Sequence, residues 1–427
     1  MTLQDLPRRA WSRLPPTVRG ALLRRAGPAL WRAYGYVALP RPAPAPVAGP
    51  LVVAGLFRSA SGIGEAARRS WHALRAAGED PIAVDLTEAF TRADTEAGLP
   101  LRAFPASRSG RLILQLNAPE TIPALRVLGL NRQRRWFIVG YWAWELEVFP
   151  TGWQDAFAFL SEVWTVSTFA QCALGVEGGP SVRVVPHPIR PRSSSTSMID
   201  ERRALGLPAD AFITLVVADA LSSLTRKNVV GAIAAHAAAF GRDATKLLVV
   251  KLRNAPPGGA DLVGSERTNV RVVSRTMSDA ERWALLRAAD VVMSLHRAEG
   301  YGLVAAEAMS LGKPVIATGY SGNTDYMTSG DSVLVGFDLV EVADPDGVYP
   351  AAAGRWAEPD DDEAADALRR LERDPSLRRR LGDAARAAMA AFANEETVGQ
   401  RMADLVAVPT GPAPRGPHGP KGARGVA

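Results

Sequence analysis

Short apolar runs rich in Val, Ile and Leu recur along this sequence with helix-patterned segments between them, and the alternation happens twice. The first series holds LVVAGLF (51–57), PIAVDL (81–86), RLILQLN (111–117), WFIVGYW (136–142), EVWTVS (162–167) and VRVVP (182–186). A polar stretch containing Pro and Ser, 188–210, interrupts it. The second series holds FITLVVAD (212–219), KLLVVKLR (246–253), VRVVS (270–274), VVMSLH (291–296), KPVIAT (313–318) and SVLVGF (332–337). Brief apolar runs bounded by turn residues fit strands buried on both faces. A parallel partner is reached only through a crossover, so strands alternating with helices imply parallel sheets covered by helices. The expected class is α/β, with two doubly wound domains facing across a cleft. Helical patterns over 363–391 and 395–407 close the second domain. Ligands of such sheets bind beyond the carboxyl ends of the strands, so the site is expected in the cleft.

The expected boundaries follow from composition. Residues 1–49 mix Arg with Trp, Leu and Tyr and read as a basic helical or disordered arm ending in a Pro-rich linker, Pro40 to Pro50. Residues 50–190 form the first domain, 191–210 a linker, and 211–392 the second domain. Residues 393–408 read as a terminal helix returning to the first domain, and 409–427 as a disordered tail.

The net charge of +6 does not belong to the folded body. The arm carries eight Arg and one Asp and the tail two Arg and one Lys, which leaves 50–408 at −4. A nucleic-acid-binding core would carry its basic patch on the fold, so no nucleic-acid partner is expected. The basic arm is compatible with peripheral contact to an anionic membrane. No apolar run approaches a bilayer span and no charged-then-apolar leader opens the sequence, so the expected location is cytoplasmic. The single Cys172 excludes an internal disulfide, and five scattered His residues show no metal-ligand spacing.

One stretch concentrates the chemistry: LHRAEGYGLVAAE, residues 295–307. It runs from the end of a strand through a glycine turn into a helix stopped by Gly312. Glu299 lies on the turn and Glu307 in the second turn of the helix, eight residues on. Gly300 and Gly302 let backbone approach a ligand closely. The helix start offers unpaired N–H groups and a positive dipole end suited to phosphate. A carboxylate accepts two hydroxyl protons at once and suits a vicinal diol. One acid can hold a sugar ring and the other a ribose, with a diphosphate between them. The plainer reading is a turn acid and a solvated helix face.

The segment HRAEGYGLVAAEAMSLGKPVIATGYSGNTDYM resembles the donor-binding segment of retaining GT-B glycosyltransferases of the group 1, family 4 type. LSSLTRKNVVGAIAAHAAAF resembles the part where a basic residue meets the donor diphosphate, and GLFRSASGIGEAARRSWHALRAAG resembles the first loop and helix of the amino-terminal domain. APETIPALRVLG, FIVGYWAWELEVFPTGWQDAF and EVWTVSTFA resemble a subgroup among polysaccharide and glycan-assembly enzymes. The resemblance spans roughly residues 51–408. It implies the GT-B architecture of two Rossmann-like domains.

By that resemblance Glu299 contacts hydroxyls of the transferred sugar and Glu307 binds the ribose. The backbone of Gly300, Tyr301, Gly302 and Leu303 lies along sugar and diphosphate. Lys227 neutralises the diphosphate, with Arg226 and Lys251 as neighbours. Many relatives carry an Arg several residues before this Lys; here Leu221-Ser222-Ser223 stands there, and Lys251 is the expected substitute. Gly62 and Gly64 form the glycine turn of the first domain. Many relatives also place a His near the sugar, whereas this sequence has GYWAWELEVFP, so Glu145 between aromatic residues is the acid available. His296 and Arg297 line the donor pocket, Glu65 is a helix-start acid, and His187 is structural. Asp360-Asp361-Asp362 reads as helix-start charge rather than a metal site.

The expected function is a hexosyltransferase that uses a nucleotide-diphosphate sugar as co-substrate, without cofactor or metal. Its acceptor would be a carbohydrate, lipid-linked or small-molecule hydroxyl, and the anomeric configuration would be retained. The alternatives are another GT-B chemistry, a sugar-nucleotide epimerase or phosphorylase, or a GT-B binding protein without catalysis.

Overall fold

A computed structural model describes residues 38–255, 268–349 and 354–409. The basic arm over 1–37 and the tail over 410–427 lie outside the described residues. In the first domain, β1 (Leu51–Gly55), β2 (Ile82–Asp85), β3 (Ser109–Gln115), β4 (Arg135–Trp142), β5 (Glu162–Thr165) and β6 (Ser181–Val184) form one sheet in the order β2-β1-β3-β4-β5-β6. Every pairing in it is parallel. The helices α1 (Gly62–Ala76), α2 (Ala118–Val127) and α3 (Thr168–Leu174) link its strands. All five residues of β1 are buried, which is why LVVAG shows no polar alternation.

The second domain repeats the plan. After α4 (Met198–Ala204) come β7 (Phe212–Asp219), α5 (Leu224–Lys227), α6 (Val229–Phe240), β8 (Lys246–Arg253), β9 (Val270–Val273), α7 (Asp279–Ala288), β10 (Val291–Ser294), α8 (Leu303–Ser310), β11 (Val315–Thr318) and β12 (Val333–Val335). The six strands are parallel in the order β12-β11-β10-β7-β8-β9. An antiparallel pair, β13 (Phe337–Glu341) and β14 (Arg355–Pro359), stands apart as an arm; the sequence reading ran Phe337 into the strand before it and marked no strand over 355–359. The helices α9 (Asp361–Arg373), α10 (Pro375–Phe392) and α11 (Glu395–Val406) follow. Asp360 caps α9 by accepting from Glu363 N at 2.9 Å, so the acidic run serves the helix start.

In each sheet the strand order reverses direction once, between β1 and β3 and between β7 and β10. Crevices open at such switch points, and the helices leaving them are α1 and α8. The topology alone therefore aims two helix starts at the cleft.

Two segments differ from their sequence reading. The Pro40–Pro50 stretch is no free linker: Leu39 and Ala43 are buried, and Ala43 N donates to Trp136 O at 2.7 Å. Its prolines keep it out of the ladder without keeping it off the domain. The 191–210 linker contains α4, whose Arg202 is buried and bonds to Asp290 at 2.7 Å and to the carbonyls of Ala288, Ala209 and Ala211. That part belongs to the second domain. The terminal helix α11 crosses back to α1 of the first domain, approaching so closely that a Cβ on Gly399 would meet Ala73 O.

Candidate active site

The starts of α1 and α8 face each other. A Cβ on Gly62 would meet only Leu303 Cδ1, at 3.9 Å, and Leu303 is the first residue of α8. Gly64 is needed because a Cβ there would lie 2.2 Å from Ser59 O, inside the β1–α1 turn. The cap of α8 is Gly302, at φ 84° and with no side-chain hydrogen bond, so the first N–H groups of α8 have no capping acceptor. Two positive helix ends converge on one place, which suits a diphosphate. Gly300 marks a close approach of the domains, since a Cβ on it would stand 2.9 Å from Trp144 O, just beyond β4.

Glu299 sits on this turn, 7% exposed, under two cations of its own domain. Lys227 Nζ contacts one carboxylate oxygen, and Arg226 Nη1 lies 3.3 Å from the other. Arg226 is held in turn by Ala298 O at 2.6 Å and Ser222 O at 3.0 Å. Glu299 N donates to Ser321 Oγ at 2.8 Å, and Gly322 N to Glu299 O at 2.9 Å, so the SGN loop fixes the turn. Burial pushes the Glu299 carboxyl up, but Lys227 and Arg226 outweigh it and bring it down to about 2. Lys251, the expected second cation, donates to Arg275 O at 2.8 Å and Val273 O at 3.3 Å, and it is Arg226 that stands beside Lys227 on Glu299.

The first domain supplies Glu145, half-buried beyond β4, whose charge acts on both Arg226 and Lys227. Its aromatic neighbours are core, not a sugar platform. Trp142 is buried against Phe149 and Phe157 with Nε1 donating to Thr121 Oγ1, and Trp144 is enclosed by Phe149, Trp153 and Tyr349.

Glu307 is also buried, and its partners span the cleft. Arg282 of α7 donates to Oε2 at 2.5 Å, and Arg69 of α1 contacts Oε1. Arg69 also bonds Glu65 at 2.8 Å, and Arg282 lies 3.8 Å from the same carboxylate. Glu65 is therefore more than a helix-start acid: it closes a network of four charges between the domains. Burial pushes its carboxyl up, and the surrounding Arg69, Arg282 and Arg68 hold it well below the usual range. Arg69 and Arg282 went unnoticed in the sequence, where arginines on polar helix faces look alike.

The remaining predicted residues build walls. His296 Nε2 faces Asn323 Oδ1 at 2.9 Å and Tyr320 O at 3.2 Å, while Nδ1 faces Ser294 Oγ at 3.0 Å. Nδ1 also lies 3.1 Å from Ser294 O, and burial lowers the ring's pKa. Arg297 does not face the pocket: it grips Glu358 at 2.8 and 2.6 Å, donates to Thr225 O and lies over Trp356. Tyr301 points to the hinge, its hydroxyl donating to His187 O at 3.2 Å, and burial drives His187 down to about 3. Only the backbone of Tyr301 remains available to the turn. Among the described residues no group of three or more His, Cys, Asp and Glu side chains is arranged to hold a metal ion, and no helix is long and apolar enough to cross a membrane.

Known proteins share this fold. A crystal structure of Anabaena HepE in complex with UDP and glucose superposes with a TM-score of 0.60 at 16% identity, covering 83% of this chain and 98% of that one. Sucrose-phosphate synthase from Thermosynechococcus elongatus gives a TM-score of 0.58 at 18% identity, covering 84% and 98%. At such identities the likeness establishes the fold, which is GT-B. D-inositol 3-phosphate glycosyltransferase from Nocardioides is 30% identical over 249 residues, 53% of this chain, and the chain spans 48% of that relative's length. Residues 266–388, which carry both Glu299 and Glu307, match the family of glycosyl transferases group 1. The chain thus has a GT-B fold whose second domain carries a group 1 glycosyl transferase segment.

Proposed function

We propose that this protein is a retaining glycosyltransferase that moves a hexosyl unit from a nucleotide-diphosphate sugar to an acceptor hydroxyl. The observation that carries the reading is the pairing of two facing helix starts with a buried acid and two cations at one switch point. The α1 and α8 ends receive the diphosphate. Lys227 and Arg226 lie where negative charge grows on the departing nucleotide, so they stabilise the transition state more than the ground state. Glu299, kept ionised by the same cations, accepts hydrogen bonds from sugar hydroxyls and fixes the anomeric carbon against the acceptor. Glu307 accepts the ribose diol after Arg69 gives up its oxygen. No covalent nucleophile is assigned: the acceptor attacks from the face the nucleotide leaves, and a phosphate oxygen of the leaving group takes the acceptor proton. The cation pair does the electrostatic work, so transfer proceeds without a metal. The acceptor is a glycan, lipid-linked or small-molecule hydroxyl.

UDP-glucose is the first donor to try, because HepE was crystallised with UDP and glucose. A phosphorylated polyol is a reasonable first acceptor, given the named activity of the Nocardioides relative. The test is thermal shift against UDP, GDP, ADP and their sugars, followed by product analysis with each stabilising donor. A raised melting temperature and an α-linked product from an α-linked donor are expected. No shift with any donor, or an inverted product, overturns the reading.

A further inference from the structure

The β13–β14 arm is fastened to the donor site at both ends, and this points to a use. At its base Asp360 N donates to Gly336 O at 2.9 Å, closing the stem. Ala357 N donates to Arg297 O at 2.9 Å, and Arg297 N donates to Arg226 O at 2.7 Å. The arm is therefore tied to the strand end that precedes Glu299 and to the turn that carries the two cations. Further along, Asp346 accepts from Ser223 Oγ at 2.8 Å and Thr225 N at 3.0 Å, on the same turn. Asp344 then accepts from Tyr349 N at 2.8 Å, which fixes where the Tyr349 ring goes.

That ring lies beside the site, packed on Trp144, whose carbonyl faces Gly300. It is 8% exposed and stands edge-on to Trp144 of the first domain, 5.7 Å between centroids at 80°. Arg226, Glu145 and Glu299 all act electrostatically on its phenol, which burial keeps neutral at ordinary pH. A neutral phenol both donates and accepts a hydrogen bond, which neither the surrounding carboxylates nor the cations do.

We propose that Tyr349, delivered by the arm, contacts the transferred sugar and helps decide which sugar the site accepts. The inference rests on the donor site described above. A carboxylate such as Glu299 accepts from any well-placed hydroxyl, so it holds a sugar without telling epimers apart. A fixed phenol adds a directional partner whose loss leaves a particular hydroxyl unpaired. On the donor reading above the ribose goes to Glu307, whose partners Arg69 and Arg282 are not among the groups that act on Tyr349.

The experiment compares the unsubstituted full chain with Tyr349→Ala and Tyr349→Phe. Calorimetry measures binding of UDP and of UDP-sugars with gluco, galacto, N-acetylgluco and manno configurations, and kinetics give kcat/KM for each donor transferred. For Tyr349→Ala the expected result is UDP affinity within about twofold, a loss of about tenfold or more on the preferred sugar, and a narrowed spread among epimers. Tyr349→Phe, which keeps the ring and the fold, should lose about threefold to tenfold on that sugar alone. Equal losses on UDP and UDP-sugar overturn the proposal, as does an unchanged ranking in Tyr349→Phe. If the unsubstituted protein binds none of the nucleotides or their sugars, the donor reading falls and takes this inference with it. If it binds and transfers while both variants keep its ranking, only the inference falls.

Discussion

Glu299 and Glu307 stand eight residues apart on one βα turn, both buried and both facing two cations, yet the cations differ in origin. Those of Glu299 are Arg226 and Lys227, adjacent in sequence and in the same domain. Those of Glu307 are Arg282 of its own domain and Arg69 of the other, 238 residues away. The Glu299 shell therefore persists when the domains part, whereas the Glu307 shell exists only when they meet. Equal burial hides two kinds of site: one pre-organised for chemistry, the other dependent on closure.

The largest expected effect tests the first kind. Glu299→Gln keeps the shape and removes the charge, and should lower kcat by about a hundredfold or more while leaving UDP affinity nearly unchanged. Turnover at the original rate would remove Glu299 from catalysis. The matching change on the other acid should divide differently. Glu307→Gln is expected to weaken UDP binding by about tenfold, measured by calorimetry, with kcat at saturating donor within about threefold. If both substitutions act on kcat alone, the distinction between the acids fails.

A smaller effect separates the shells directly. Arg69→Ala removes the cation that crosses the cleft, so small-angle scattering of the nucleotide-free protein should show a larger radius of gyration. Arg226→Ala should leave the radius unchanged, because its partner lies in the same domain. Arg69→Ala should also lower thermal stability by about 1–3 kcal/mol, since Glu307 keeps Arg282.

The smallest effect uses a third acid as a contrast. Glu120, in the first turn of α2, is given no cation, and burial raises its pKa to about 7. Its folded pKa lies above the unfolded one, so the folded state keeps the proton and stability falls as pH rises through that window. Glu120→Gln should therefore raise the melting temperature by a few degrees at pH 8 and have almost no effect below the unfolded pKa, at about pH 4. Glu299 has the opposite sign: its folded pKa of about 2 lies below the unfolded value. Its stabilisation is present above the unfolded pKa and is lost as pH falls toward 2. Acid titration of Glu299→Gln should lack that loss.

Much of the site was legible because it is local. The strand, turn and helix around Glu299 lie within one βαβ unit, and Arg226 and Lys227 stand at the mouth of another. The carbonyl partners of Lys251 were not legible, because a lysine at a strand end looks free until the carbonyls that surround it are seen. The partners of Arg297 were hidden for the same reason, since Glu358 and Trp356 lie on an arm strand that one-dimensional patterning did not mark. Tyr349 gave no signal, as a lone aromatic in a loop carries no period.

By itself, the sequence determined the alternation of strands and helices, the two switch points and the glycine turns, because each is dictated by side-chain period and backbone freedom within a few residues. Only the tertiary structure decided which cation neutralises which acid, that the proline-rich and serine-rich stretches are packed, and that an arm carries a phenol to the cleft. Those outcomes depend on contacts between distant parts of the chain, where burial removes water and makes each charge choose a partner.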